Sequence, residues 1–292
     1  MQTLNIIGCG RVGRTLARLW REQGVFTIGD VNDHTAEKSV AAVDFIGGGR
    51  ACAELAVMRA ARCWMLAPPD DRIADVSKAL AAGSALSAGD IVFHCSGALP
   101  SGVLSAAAAR GALVASMHPL KTFAGAATAV QTFAGTHCAA EGDANALSTL
   151  QPVFERIGAR VFQIDACAKT LYHAASVLVC NDLTALLEAG ARVFEAAGLP
   201  RADALRMVEP LVRETLDNVF RLGTTAALTG PVVRGDVDVV KRQLSALTAT
   251  DTRLAAVYRS LGIIAAELAG AQGKAAATAL AEITALLESD RR

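Results

Sequence analysis

At 292 residues the chain is long enough for two domains with a substantial core, and 52% hydrophobic content excludes a disordered polymer. Lys plus Arg and Asp plus Glu balance at 28 each, so no global charge attracts nucleic acid or an anionic membrane. Seven scattered cysteines, with no C-x-x-C pair and no His/Cys cluster at zinc spacing, point to reduced thiols rather than a disulfide scaffold or a metal site.

Through about residue 165, short apolar runs alternate with helical patterns, the signature of β-α-β units and a mostly parallel sheet. The first expected strand, 3–7, runs straight into Gly8-Cys9-Gly10-Arg11-Val12-Gly13, a G-x-G-x-x-G loop that opens an amphipathic helix ending near Trp20. In that setting Gly8 makes the tight turn, Gly10 lets backbone amides approach a pyrophosphate, and Gly13 lets the helix lie close to the sheet. The helix N-terminus then attracts the anion. Cys9, Arg11 and Val12 complete the expected cofactor loop, the Cys9 position chiefly requiring a compact side chain.

The second expected strand, 25–31, leads into Asp30-Val31-Asn32-Asp33-His34-Thr35. Here Asp30 or Asp33 can hold a ribose 2′-hydroxyl, and Asn32 or Thr35 a phosphate. With no arginine in this stretch the pattern favours NAD over NADP, although Arg11 can reach a phosphate from the loop. The third strand, 62–67, ends in Ala67-Pro68-Pro69-Asp70, a stiff turn placed to border the adenosine side. Strands 91–95 and 112–117 end in His94-Cys95-Ser96-Gly97 and His118-Pro119-Leu120-Lys121. Ligands of open α/β sheets lie outside the carboxyl ends of the strands, so His94, Ser96, His118 and Lys121 fall near a nicotinamide. Two more strands, 135–139 and 160–164, close the series. Beyond, long Ala/Leu-rich segments of helical period predict an all-helical region.

The expected architecture is therefore α/β: a Rossmann-type dinucleotide-binding domain over 1–165, then an all-α substrate and dimerisation domain over 166–292. Met1 leads directly into a strand with no basic segment or cleavage site, and the apolar runs are alanine-rich and broken by charge. These features predict a cytoplasmic protein without a membrane span.

The chain resembles the Rossmann-like oxidoreductases that carry a C-terminal helical domain of unknown function, relatives of ketopantoate, pyrroline-5-carboxylate and deazaflavin-dependent NADP reductases. The resemblance rests on His94-Cys95-Ser96-Gly97-Ala98-Leu99, His118-Pro119-Leu120-Lys121-Thr122-Phe123, Lys169-Thr170-Leu171-Tyr172-His173 with Asn181, and Thr229-Gly230-Pro231-Val232-Val233-Arg234-Gly235-Asp236. It implies a nucleotide domain, an interdomain cleft, a reductase activity and a dimer built on the helices. The chain departs from its relatives in two places: Asn32-Asp33-His34 stands where a basic triplet is common, and His173 follows Lys169 by one turn where one branch has asparagine.

Lys169 and His173 share a helix face about 6 Å apart along the axis, so one substrate carbonyl can meet both. A lysine or histidine tuned by burial can protonate the oxygen that gains charge during hydride transfer. Lys169, His173 and His118 are thus the candidate catalytic residues. The bland alternatives are a solvated lysine and a packing histidine. Arg234 is a candidate clamp for a substrate carboxylate, or else a surface partner of Asp236 or Asp238, and Lys121 is a second candidate substrate contact. Asn181 lies roughly 18 Å from Lys169 along a straight helix, which suits packing or a contribution across a dimer. The expected function is an NAD(P)-dependent reductase acting on a small oxo acid or cyclic imine. The rival readings are a non-catalytic nucleotide-binding sensor or scaffold, and a thiol enzyme using Cys95 and His118. Apolar helical faces in the second half exceed what one layer can bury, so a homodimer through them is expected.

Overall fold

The computed structural model describes residues 2–289; Met1 and residues 290–292, at the outer ends of the two expected domains, lie outside it. Eight strands form one sheet: β1 (Gln2–Ile7), β2 (Phe26–Asn32), β3 (Arg50–Cys52), β4 (Cys63–Leu66), β5 (Ile91–His94), β6 (Leu113–Pro119), β7 (His137–Gly142) and β8 (Arg160–Gln163). Their order is β3-β2-β1-β4-β5-β6-β7-β8, parallel throughout except for the antiparallel β6–β7 pair. The chain leaves β1 to build outward on one side and then returns to start β4 on the other. The carboxyl ends of β1 and β4 therefore flank the crevice where such sheets bind ligands. Only β3 escapes the sequence pattern, because three residues beginning with an arginine make no apolar run.

Helices α1 (Arg11–Glu22), α2 (Ala36–Ile46), α3 (Asp70–Ala82), α4 (Ser105–Ala108), α5 (Ala126–Gln131) and α6 (Ala144–Arg156) connect the strands. They cover both sheet faces, so strand residues of either parity are buried. Leu4, Ile6, Met65 and Phe93 enter one core cluster, whereas Ile7, Trp64, Leu66 and Val92 enter the other. Trp20 anchors the first. Its indole is fully buried edge-on to Phe26, Phe93 and Phe154 at centroid distances of 5.4, 6.2 and 5.1 Å, and it donates to the Val153 carbonyl at 3.1 Å.

Past β8 a short turn at Ala166–Ala168 passes directly into α7 (Lys169–Ala196). The helices α8 (Arg201–Leu222), α9 (Thr224–Ala227), α10 (Pro231–Arg234), α11 (Val237–Thr250), α12 (Thr252–Gln272) and α13 (Ala277–Glu288) follow. The chain divides into two compact units, one running through Val179 and the other from Cys180. The last strand ends at Gln163, and the first compact unit continues through the opening turns of α7, where Lys169 sinks its side chain among the strand ends.

The second unit has a small core centred on Val240, Ile283 and Leu287. It also has an open apolar groove of about 570 Å³ between α7, α8, α11 and α12, lined by Leu186, Leu211, Leu247, Val257 and Leu261 among others. Residues 166–196 and Thr252–Gln272 have the length and mean hydropathy, 1.3 and 1.4, of membrane-crossing helices, which the charge-broken alanine pattern did not suggest. Both contribute apolar walls to the groove.

Candidate functional site

Gly8 is the tightest point of the glycine loop. Its φ of +82° is left-handed, its N–H donates to the Asn32 carbonyl at 2.8 Å, and a Cβ there would stand 2.4 Å from the Pro68 nitrogen. This is where Ala67 and Pro68 serve, as the wall against which the β1 turn is pressed. A Cβ on Gly13 would come within 2.9 Å of the Gly8 carbonyl, so α1 can start this close to β1 only with glycine. At Gly10, by contrast, a Cβ would meet no protein atom within 4 Å. Gly10 is the N-cap of α1 and caps it with no side chain, which leaves the first-turn amides of Arg11, Val12 and Gly13 to face a ligand. These residues fit a dinucleotide pyrophosphate.

The ribose side differs from the sequence expectation. Asp30 is fully buried, and its carboxylate accepts paired bonds from Arg50 at 2.9 and 2.7 Å, from the Arg59 guanidinium at 3.0 and 2.6 Å, and from the Arg59 amide at 2.7 Å. Burial alone would raise its pKa, but the two guanidiniums hold it well below the usual carboxylate range. Asp30 is therefore a structural ion-pair centre rather than a ribose ligand. Asp33 is occupied as well: one oxygen accepts from the Cys9 amide at 3.0 Å, the other from the His34 amide at 2.8 Å and Nδ1 at 2.6 Å. It ties the glycine loop to the end of β2. Asn32 donates to the Cys52 carbonyl at 2.9 Å. Asp30 and Asp33 both therefore have hydrogen-bond partners within the protein.

At the ends of β5 and β6 the loop after His94 is organised from within. Ser96 is buried, and its hydroxyl donates to Asp70 Oδ2 at 2.7 Å while accepting from the amides of Ala98 and Leu99. Its single proton is thus spent inside the protein, so Ser96 shapes the turn and does not donate to a nicotinamide. His94, fully buried, accepts from the Ser96 amide through Nδ1 and faces the Pro100 carbonyl through Nε2. Desolvation, helped by nearby Lys169, holds it down to about 4 and therefore neutral.

Lys169 is only 1% exposed. Its ammonium donates to the Ser96 carbonyl at 2.9 Å and to Ser116 Oγ at 2.5 Å. Burial lowers its pKa, while the charge of Glu141 opposes the fall. Lys169 is thus not a solvated lysine: it is tuned by burial, as a catalytic lysine was expected to be, and its ammonium braces the strand ends.

The next turn of α7 carries the groups that reach the mouth. His118, at the end of β6, is half-buried, and its Nδ1 lies 3.1 Å from the Tyr172 hydroxyl. The His118 and His173 rings are 5.9 Å apart between centroids. They meet over Gly97, where a Cβ would stand 2.4 Å from His173 Cδ2 and 2.8 Å from His118 Cε1 and Nε2. Desolvation, then the charges of Lys169 and His173, hold His118 down to about 4, and burial pushes Tyr172 up to about 12. His118, His173 and Tyr172 thus form one cluster. Tyr172 and Gly97 are the members that residue-type reasoning passed over, although Tyr172 stands three residues after Lys169 and so on the same helix face.

Two expected contacts are engaged elsewhere. Lys121 donates to the Thr132 carbonyl at 2.8 Å, capping the C-terminus of α5. Arg234 lies in the second unit, 62% exposed and paired with Asp236 at 2.7 Å, the surface pairing weighed against a carboxylate clamp. Asn181 is exposed on α7. All seven cysteines are free thiols, and burial pushes those of Cys9 and Cys95 up to about 12, which argues against a thiolate nucleophile at either.

Comparison with known proteins agrees with this architecture. No curated protein matches the sequence. Among solved structures, protein TM1727 from Thermotoga maritima is 23% identical, with a TM-score of 0.70 over 99% of this chain and 100% of that one. A reductive aminase from Aspergillus terreus, in complex with NADPH and ethyl levulinate, is 20% identical with a TM-score of 0.61, covering 99% of this chain and 93% of that one. An imine reductase variant from Myxococcus stipitatus, in complex with NAD+, is 17% identical with a TM-score of 0.61, over 97% and 99% of the two chains. At these identities the likeness concerns the fold. Family models match a Rossmann-like domain at residues 2–119 and a domain of unknown function (DUF2520) at residues 136–264, so the chain joins a Rossmann-like domain to a DUF2520 domain.

Proposed function

We propose that the protein is an NAD(P)-dependent oxidoreductase that reduces a small oxo acid or cyclic imine. The observation that carries this reading is the glycine loop at the β1/β4 crevice, where a bare helix N-terminus opens beside Gly10. The likeness in fold to enzymes crystallised with NADPH and NAD+ supports it. Gly8 to Gly13 hold the pyrophosphate; the nicotinamide, when bound, supplies the hydride. His118 and His173 meet the reacting oxygen or nitrogen, and a neutral His118 donates a hydrogen bond to the charge that develops there. Lys169 holds the Ser96–Gly97 turn in place beneath them. Asp30 and Asp33 are both hydrogen-bonded within the protein, and NADH and NADPH are both offered as cofactors in the test.

The test is oxidation of NADH and NADPH in the presence of 2-oxo acids, ketopantoate among them, and cyclic imines. A substrate should emerge, and His118→Asn should lower its turnover about a hundredfold or more while leaving nucleotide affinity nearly unchanged. Nucleotide binding with no turnover across the screen would favour a sensor or scaffold instead. Full activity in His118→Asn would remove that residue from the chemistry.

We also infer that the second unit dimerises. Leu205, Met207, Leu211, Phe220 and Leu261 are exposed large apolar residues on its helices, and the open groove adds to this surface. A second copy of the chain covers it, and a homodimer at micromolar concentration is the expected result of sedimentation. A stable monomer, or a dimer that persists after Leu211→Glu and Leu261→Glu, would refute it.

A further inference from the structure

We propose that Tyr172 is a positioning residue that donates its phenolic proton to Nδ1 of His118 and so holds the proton of that ring on Nε2, over Gly97. The contact that sets the geometry is the 3.1 Å approach of the Tyr172 hydroxyl to Nδ1. The two rings stand nearly perpendicular, 85° between planes, with centroids 5.7 Å apart. Phe162 packs edge-on against Tyr172 at 6.3 Å and fixes the phenol from the other side.

Which group donates follows from the chemistry of the pair. A buried neutral imidazole has one N–H and one lone pair, and its lone pair is a better acceptor than a phenolic oxygen. Lys169 and His173 both face His118 and oppose a second proton on it, while a buried phenol keeps its own. The bond therefore runs from Tyr172 to Nδ1. Nε2 has no hydrogen-bond partner among the described residues, and it lies 2.8 Å from the point a Gly97 Cβ would occupy. The free N–H is thus presented at the carboxyl ends of β5 and β6. The hydrogen bond on one ring nitrogen decides what the other offers.

The tautomer is independent of the reaction, whereas its effect on rate rests on the oxidoreductase reading, so the two are measured separately. Long-range proton–nitrogen correlation spectra of the full-length 15N-labelled protein report which ring nitrogen carries the proton. His118 is assigned by the signal lost in His118→Gln. The expected result is a neutral ring protonated on Nε2, with an Nδ1 resonance that moves in Tyr172→Phe as its hydrogen bond is lost. The phenylalanine keeps the ring contacts, so the fold should survive; if it does not, the wild-type spectrum alone decides. A proton on Nδ1 in the wild type, or an Nδ1 resonance unmoved by Tyr172→Phe, would overturn the proposal. With a substrate in hand, Tyr172→Phe should lower kcat on the order of tenfold with KM for the nucleotide unchanged. Absence of any turnover would count against the oxidoreductase reading and leave the tautomer result standing.

Discussion

Valine at Gly10 is expected to leave the fold in place and abolish nucleotide binding. A side chain there meets no protein atom, so the cost to the apo protein should stay within about 1 kcal/mol, chiefly a change of N-cap. The wild type should gain about 2.7 kcal/mol from NAD(H) or NADP(H) at a hundredfold excess over Kd, a rise in Tm of roughly 5–10 °C. In Gly10→Val that rise should vanish. Gly8→Ala should behave oppositely. It forces a left-handed backbone on alanine and drives Cβ into the Pro68 backbone, at a cost on the order of 3 kcal/mol or more before any ligand is added. Melting curves of the three proteins with and without nucleotide read both effects. An equal nucleotide shift in Gly10→Val and wild type would show that the loop is only a turn.

The second large effect is expected at Asp30. Removing both of its guanidinium partners in the double variant Arg50→Met, Arg59→Met leaves a fully buried carboxylate with one backbone donor. Breaking a buried pair in this way costs about 3 kcal/mol or more, roughly 6–12 °C in Tm. The pH dependence should also change sign. In the wild type the folded pKa is depressed, so the stabilisation is complete above the unfolded value of about 3.9 and is lost as pH falls through the folded pKa. In the double variant burial is no longer outweighed and the folded pKa rises above 3.9, so destabilisation grows as pH climbs through that raised value. The gap in Tm between the two proteins should therefore be widest near neutrality and narrow towards acid. A constant small gap from pH 4 to 8 would show that the arginines are not what holds the charge.

The elements of the first half were legible because each strand but β3 is an apolar run that ends in a turn, and the glycine loop sits between the first such run and a helix. Which side chains remain available at the strand ends was not legible. Asp30, Ser96 and Lys121 are all of the right type at the right place, yet each is engaged by a partner outside its own segment: Arg50 and Arg59, Asp70, and the Thr132 carbonyl. Availability is a property of three-dimensional pairing, and spacing carries no record of it. Lys169 was legible as important but not as buried, because helical period on an alanine-rich segment does not distinguish a face sunk into the sheet from one in water. Gly97 was legible only as part of the motif after His94, since the need for a missing Cβ exists only where two imidazoles converge.

The continuity of α7 bears on how this protein can be divided. A fragment ending at 165, where the last strand has finished, would discard the ammonium that braces Ser96 and Ser116 and the phenol beside His118, leaving a sheet whose mouth is unmade. The compact unit that holds the sheet runs through Val179, so a fragment that keeps these contacts extends into α7. In modular terms the seam falls inside a helix rather than in a linker. An exchange of C-terminal regions between such proteins would have to be spliced within α7, so the acceptor keeps Lys169, Tyr172 and His173 while taking the groove from the donor.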